Sequence, residues 1–214
     1  MLELKDWSYS RYSSWKKCPR KLLFSMTIEG DRVSSPAMER GTDMHSQIEN
    51  FLLGNGELSP DLKYYEEFLA DLKREGAVPE LPIAIDIDWK MTGWNSKTRW
   101  WRGILDCVIE ADDVAYIYDW KTGNEYDDHR EQREIYAAAY HSVFPVKQVR
   151  VYHVYLDKKQ NTTRVYDEED MENLKNLWVK RITPMFEDKH FIPNPGFHCR
   201  FCQYRAEAGG PCAF

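Results

Sequence analysis

The strongest constraint on the fold is a strand-turn-strand pattern between residues 103 and 120. Gly103 to Glu110 (GILDCVIE) and Val114 to Trp120 (VAYIYDW) read as strands, and the polar pair Asp112-Asp113 between them has the length of a two-residue hairpin loop. Pairing outward from that turn sets Asp106 opposite Asp119, with Cβ atoms roughly 4.5 to 5.5 Å apart. Lys121, two residues beyond Asp119, projects from the same face. Like charges directly opposite destabilise a sheet by roughly 0.2 to 1 kcal/mol. The pair therefore calls for a compensating charge, and a divalent cation on hard oxygen ligands supplies one, magnesium or manganese suiting such a set. On this reading, Asp119→Ala in chelator relieves repulsion and raises stability. The plain alternative is a solvated strand face, and a slip of register by one residue would separate the two carboxylates.

The rest of the chain is clearly punctuated. Ser8 to Met26 reads as one opening helix, with Tyr12, Trp15, Leu22 and Leu23 as apolar positions. Ser35 caps a second helix with Pro36 at its first position and Gly54 at its end, and Gly41, His45, Ile48 and Leu52 recur along one flank. A third helix starts at Ser59-Pro60 and stops near Gly76. Leu81 to Lys90 alternates Ile83, Ile85, Ile87 and Trp89 with polar residues, the pattern of a half-buried strand. After the hairpin, Thr122-Gly123-Asn124 breaks the chain, and a helix is expected from about Asp127 to Val143. An alternating strand (Val149, Val151, His153, Tyr155) follows, then a turn at Lys158 to Asn161 and a short strand near Thr162 to Val165. Asp167 caps a last helix to about Met185, with Asp170 completing its first turn. Of Trp100 and Trp101, adjacent in an extended strand, at most one belongs to the core. The other is a better stacking platform for an unpaired base than Trp178, which sits at helical spacing from Leu174. Periodicity alone supports a mixed α/β domain.

The combination Gly103-x-x-Asp106, then Asp119-x-Lys121 with Thr122-Gly123, resembles the PD-(D/E)XK nuclease superfamily, and the form Asp-Trp-Lys-Thr-Gly looks most like its RecB-type branch. Further motifs agree with that branch: Arg40-Gly41-Thr42-x-x-His45 in an upstream helix, Gln132-x-x-x-Tyr136 in the helix after the Asp-x-Lys strand, and Cys18-Pro19-Arg20 with Cys199, Cys202 and Cys212 at the far end. The cysteines resemble the split four-cysteine cluster of AddB-type nuclease domains and of small CRISPR-associated RecB-like exonucleases. The resemblance implies a restriction-endonuclease-like core, a mixed central sheet flanked by helices, with a helical insertion and an iron-sulfur subdomain joining the two ends of the chain. The organisation expected is a single nuclease domain (1–214). It comprises a helical lobe carrying His45 (27–80), a catalytic sheet and helix (81–166), and a cluster subdomain made of 1–26 with 186–214.

By the same resemblance, His45, Asp106, Asp119 and the Trp120 carbonyl hold Mg2+ or Mn2+, and Lys121 positions or deprotonates the attacking water. Gln132 contacts the site or the scissile strand, and Tyr136 supports it. Taken alone, His45 reads as a hydrogen-bonded histidine, and Gln132 with Tyr136 as a surface Gln beside a core Tyr on one helix face. Four cysteines in an intracellular chain read as metal ligands rather than disulfides. The residues leave zinc and iron-sulfur open, while the resemblance favours a 4Fe-4S cluster. Nine residues separate Cys202 from Cys212, a longer gap than the resemblance leads one to expect, and His198 is a substitute ligand if Cys212 is too distant. Cys107 follows Asp106 and so faces away from the site, as a buried thiol.

Composition adds bounds. The formal net charge of -6 means that phosphate contact needs a local basic surface. Candidates are Arg11, Lys16, Lys17, Arg20 and Lys21, and Lys97, Arg99 and Arg102 leading into the hairpin. No long apolar run and no leader-like start is seen, so a cytoplasmic protein without membrane association is expected. The sequence lacks a Walker motif, so any helicase would be a separate partner. The function expected is a metal-dependent exonuclease acting on DNA with free ends, in recombination, repair, replication or CRISPR adaptation, beside a helicase, recombinase or integration partner. A non-catalytic end-binding or assembly subunit that keeps the fold is the alternative.

Overall fold

The computed structural model describes residues 4–28, 35–123 and 128–214. Among them, five strands form one mixed sheet: β1 (Val78–Ile85), β2 (Trp101–Ala111), β3 (Val114–Lys121), β4 (Gln148–Tyr155) and β5 (Gln160–Asp167), in that spatial order. Only β3 and β4 are parallel; the other neighbours run antiparallel. The parallel pair needs a crossover, which α5 (Asp128–Val143) provides. The remaining helices are α1 (Tyr9–Lys17), α2 (Pro19–Thr27), α3 (Pro36–Leu53), α4 (Glu66–Arg74) and α6 (Glu168–Glu187). This is the mixed sheet flanked by helices that the sequence leads one to expect.

The sheet separates two apolar layers. Val108, Ala115, Ile117, Val149 and Val151 pack toward Ile135, Ala138 and Ala139 of α5 and toward Met171, Trp178 and Ile182 of α6. Cys107, Ile109, Trp120 and Val154 share the other cluster with Met44, Ile48 and Leu52 of α3 and Leu69 and Leu72 of α4. The hairpin has the expected register, Ala111 pairing with Val114 and Cys107 with Tyr118. Its turn works because Asp112 (φ 52°) and Asp113 (φ 62°) both take the left-handed conformation of a type I′ turn, which a short polar side chain tolerates.

Several expectations need correction. The opening helix is two helices, broken at Cys18. A residue before proline is driven to extended backbone, and Cys18 is (φ -160°, ψ 107°). The third helix begins as a 3-10 turn, Pro60–Tyr65, before α4. The strand expected over 81–90 is instead Val78–Ile85. Past it, Asp86 Oδ1 accepts hydrogen bonds from the N–H groups of Asp88 (3.0 Å) and Lys90 (2.9 Å), folding the chain into a turn that leaves Ile87 exposed. Both Trp100 and Trp101 are buried, Trp100 lying edge-on to Trp7 and Trp89, because residues 100–102 are paired between Ile85 and Trp7 and so gain neighbours that the local pattern does not show. Neither tryptophan is a free stacking platform. Ser35, Gly54 and the Asp167–Asp170 box cap their helices as expected. The positions expected for Asn124 and Asp127 lie outside the described residues. Among the described residues no helix is long and apolar enough to cross a membrane.

Candidate active site and thiol cluster

The site forms where β2 and β3 part. Their ladder ends at Cys107 and Tyr118, one pair short of the extrapolated Asp106–Asp119 opposition. The Trp120 N–H, which the next rung would use, instead donates to Asp106 Oδ2 at 2.8 Å. This opening sends the two carboxylates to different partners. Asp106 turns toward α3, and Asp119 toward α5.

On the α3 side, His45 Nε2 lies 2.8 Å from the Trp120 carbonyl oxygen and Nδ1 lies 3.4 Å from Asp106 Oδ2. A carbonyl only accepts, so Nε2 carries the proton. Burial pushes the His45 pKa down, against the pull of Asp119 and the Trp120 carbonyl. The neutral ring therefore presents its Nδ1 lone pair to the Asp106 carboxylate. Glu80 stands opposite Asp106 on β1. It is skipped by the ladder between the Pro79–Cys107 and Leu81–Leu105 pairs and has a φ of 48°. One ligand atom from each of His45, Glu80 and Asp106 lies within 4.8 Å of the others. These three residues line an open cavity of about 320 Å³ with Gly41, Thr42, Ser46 and Glu49. An imidazole nitrogen and two carboxyl groups converging on one space suit a divalent cation, whose charge would offset the burial that opposes their ionisation.

On the α5 side, Asp119 is 2 % exposed, and its Oδ2 lies 2.5 Å from Lys121 Nζ in an ion pair. Lys121 also donates to Gln132 Oε1 at 2.8 Å. The Gln132 amide donates to Asp119 Oδ1 at 3.2 Å and to the Tyr136 hydroxyl at 2.9 Å. The sequence does not single out His153. It is fully buried beside Asp119 in the parallel ladder, with Nε2 3.6 Å from Asp119 Oδ2. Arg133 can only donate, and it reaches His153 Nδ1 at 3.1 Å, so the ring proton sits on Nε2, facing Asp119. Burial holds His153 neutral, its pKa pushed down to about 3 although Asp119 pulls the other way. For Asp119, burial opposes ionisation, but Lys121, His153 and His45 outweigh it and lower the pKa. Asp106 is raised well above the carboxylate range by burial and by the Asp119 charge. Without a cation the two acids thus do not share the negative charge equally.

The loop after β3 is pinned to α3. Arg40 forks onto Asp157 at 3.1 and 2.6 Å, and Asp157 Oδ2 accepts the Gly123 N–H at 3.0 Å. A Cβ at Gly41 would meet Thr122 Oγ1 at 3.2 Å, so a side chain there would press on the segment that follows Lys121.

Of the expected ligands, the structure groups His45 and Asp106, adds Glu80, and leaves Asp119 outside that group, paired with Lys121. Glu80 escapes a reading of the sequence because the alternation that marks β1 begins only at Leu81.

At the other end, Cys18, Cys199, Cys202 and Cys212 line one small cavity of about 20 Å³, with His198, Arg20, Lys21 and Tyr204 around it. The cysteines are free thiols. Cys18 precedes the first turn of α2, and Cys199 Sγ accepts the Gly196 N–H at 3.4 Å. Cys212 reaches the cavity because its N–H bonds to the Tyr204 carbonyl at 2.8 Å, folding the nine-residue gap back. Four converging thiols fit a thiolate-bound metal group. Cys107 is fully buried on the opposite face of β2 from Asp106, and burial raises its pKa to about 12.

Several basic candidates are already engaged. Arg11 and Arg99 both pair with Asp6, Lys16 with Glu131 at 2.7 Å, and Arg20 donates to the Phe191 carbonyl at 2.9 Å. Arg102 lies over the Trp94 ring, 5.0 Å from its centroid.

No curated protein matches the chain. Among solved structures, the crystal structure of SSO0001 is similar with a TM-score of 0.54 at 16% identity, covering 100% of this chain and 88% of that one, which shows a shared fold. An alkaline exonuclease (LHK-Exo) from Laribacter hongkongensis aligns at 11% identity over 86% of this chain and 91% of its own, with a TM-score of 0.31. Residues 82–206, more than half of the chain and including Asp106, Asp119, Lys121, Gln132 and two of the four clustered cysteines, match the PD-(D/E)XK nuclease superfamily. The chain belongs to that superfamily.

Proposed function

We propose that the protein is a Mg2+- or Mn2+-dependent DNA exonuclease of the RecB-type branch, with a 4Fe-4S cluster on Cys18, Cys199, Cys202 and Cys212. The observation that carries the reading is the convergence of His45, Glu80 and Asp106 on one cavity, next to an Asp119–Lys121–Gln132 network. His45, Glu80 and Asp106, joined by Asp119 and the Trp120 carbonyl, would hold the cation. A bound divalent cation supplies charge neutralisation on phosphate oxygens and a more acidic water. Lys121, steadied by Gln132 and Asp119, orients the attacking water and places positive charge beside the phosphate. Tyr136 keeps its proton, since burial and the charges of Asp119 and Asp106 push its pKa well above the phenol range, and it fixes the Gln132 rotamer.

The cluster would hold the two ends of the chain together, 1–26 against 186–214, closing a loop of nearly the whole chain around the catalytic segment 81–166 and the lobe 27–80. The four thiols support this assignment by their number and their common cavity. Free DNA ends as substrate, and a helicase, recombinase or integration complex as partner, follow from the family resemblance. The test is digestion of end-labelled single- and double-stranded DNA with magnesium or manganese, beside a covalently closed circle. End-dependent digestion is expected. Efficient nicking of the circle would replace the exonuclease reading with an endonuclease, and no cleavage of any substrate would remove the catalytic one.

A further inference from the structure

Asp119 depends on Lys121, and the chemistry proposed for Lys121 draws it elsewhere. Asp119 Oδ1 accepts from the Gln132 amide at 3.2 Å. Oδ2 is held by its ion pair with Lys121 Nζ at 2.5 Å and makes no hydrogen bond among the described residues. The Asp119 side chain is 2 % exposed and that of Lys121 18 %. A lysine that turns toward a phosphate leaves such a carboxylate as a buried charge without its partner, which is strongly destabilising. Serving the phosphate therefore requires a stand-in at Oδ2.

One is in place. The parallel ladder sets His153 of β4 beside Asp119, and the antiparallel ladder sets Thr162 of β5 beside His153, so the three residues form a row across the sheet. Arg133 of α5 reaches over that row, its Nη1 donating to Thr162 Oγ1 at 2.7 Å and to His153 Nδ1 at 3.1 Å. A guanidinium has nothing to accept with, so the ring's own proton is fixed on Nε2, which points at Asp119 Oδ2 from 3.6 Å, beyond hydrogen-bond length. Both atoms are buried, and among the described residues neither has a hydrogen-bond partner. Buried polar groups are normally paired, so an unmatched donor facing an unmatched acceptor calls for a reason. Arg133 is itself 4 % exposed, and among the described residues no carboxylate pairs with it. Its charge polarises the imidazole toward Asp119, and hydrogen bonds in such a chain strengthen one another.

We infer that His153 is a positioning residue that takes over Asp119 Oδ2 when Lys121 is drawn to the phosphate, with Arg133 and Thr162 holding its ring in the donating tautomer. Lys121 and His153 compete for one oxygen, and the gap on the His153 side is the mark of Lys121 holding it. The inference rests on the nuclease reading for the phosphate, but the exchange of partners on Asp119 is measurable without substrate. A histidine that merely fills the space between β4 and α5 would not register the loss of Lys121.

The experiment is a double-mutant cycle on the full chain, without added divalent cation, read by urea unfolding at pH 8. His153→Phe keeps a ring and removes the donor; the acceptor that Arg133 loses is lost in both backgrounds and cancels. In the Lys121→Ala background His153→Phe should lower the folding equilibrium constant by about tenfold to 150-fold more than it does in wild type, the range for a hydrogen bond to a charged group. His153→Gln, whose amide reaches the position of Nε2, should restore most of that difference. On protein labelled with 15N-histidine, the His153 Nε2 proton should move downfield and exchange more slowly in Lys121→Ala than in wild type, a readout that does not depend on His153→Phe folding. With magnesium and DNA, kcat should fall about 10- to 100-fold in His153→Phe with KM unchanged. Equal costs in the two backgrounds, or an Nε2 proton unmoved by Lys121→Ala, would overturn the stand-in. Additive costs in a protein that digests DNA refute it and leave the nuclease reading standing. Coupling in a protein that never cleaves keeps the exchange on Asp119 and removes the nuclease reading.

Discussion

Asp119→Ala in the presence of chelator tests the site through the sign of its effect. Opposed aspartates alone would make the substitution stabilising, by the roughly 0.2 to 1 kcal/mol of relieved repulsion. The structure reverses that sign. Asp119 sits at 2.5 Å from Lys121 Nζ and faces the buried His153, and its side chain is 2 % exposed while that of Lys121 is 18 % exposed. Removing one partner of a buried pair costs about 3 to 5 kcal/mol. Lys121 keeps the Gln132 acceptor and some solvent, so the lower end applies. Setting a cost of about 3 kcal/mol against at most about 1 kcal/mol of relief leaves a net loss of about 2 kcal/mol. For a chain of this size that lowers Tm by about 4 to 8 °C. Scanning calorimetry in EDTA measures it, and a cycle with Lys121→Ala should show the two losses to be strongly non-additive. A Tm equal to or above wild type would refute the ion-pair reasoning and leave repulsion between the two aspartates as the larger effect.

Glu80→Gln should weaken Mn2+ binding by at least the roughly 10- to 100-fold that follows loss of an outer-shell partner; titration calorimetry that finds wild-type affinity would take Glu80 out of the site. Lys121→Ala should keep or tighten Mn2+ binding, having lost a positive charge beside the cation, while DNA cleavage collapses, so unchanged cleavage would deny Lys121 its role. The purified protein should be brown, and Cys202→Ser should lose that colour and unfold more easily while Cys107→Ser keeps both; zinc without iron or sulfide on elemental analysis would remove the cluster. Acid should destabilise the fold through His153. The unfolded chain takes up a proton near 6.5, while the folded one resists to about 3, so stability is full above 6.5 and is lost as pH falls toward 3. His153→Gln should flatten that dependence by up to about 1.4 kcal/mol per pH unit, and parallel urea curves for the two proteins at pH 7, 6 and 5 would count against it.

The hairpin is legible in the sequence because its information is local. Alternation fixes the faces of residues 103–120, and two turn residues fix the register from Cys107–Tyr118 down to Ala111–Val114. Helix caps at Ser35, Gly54 and Asp167 are legible for the same reason, since a cap is a contact between residues three or four apart. The motif spacing carries the family. Where the sequence misleads, a side chain has a choice of partner that its neighbours in the chain do not dictate. Asp86 folds onto its own backbone and ends β1 early, which no alternation of Ile83, Ile85 and Ile87 could reveal. Glu80 joins His45 and Asp106 because β1, β2 and α3 meet there, and Asp6 pairs with Arg99 from 93 residues away along the chain. The splay beyond Cys107, with Asp106 taking the Trp120 N–H, divides the carboxylates between two networks. Period and propensity assign a residue to a face of its own element. Which charges that face meets is decided by the packing of distant elements, because buried charges are stable only beside partners that the whole fold has to bring to them.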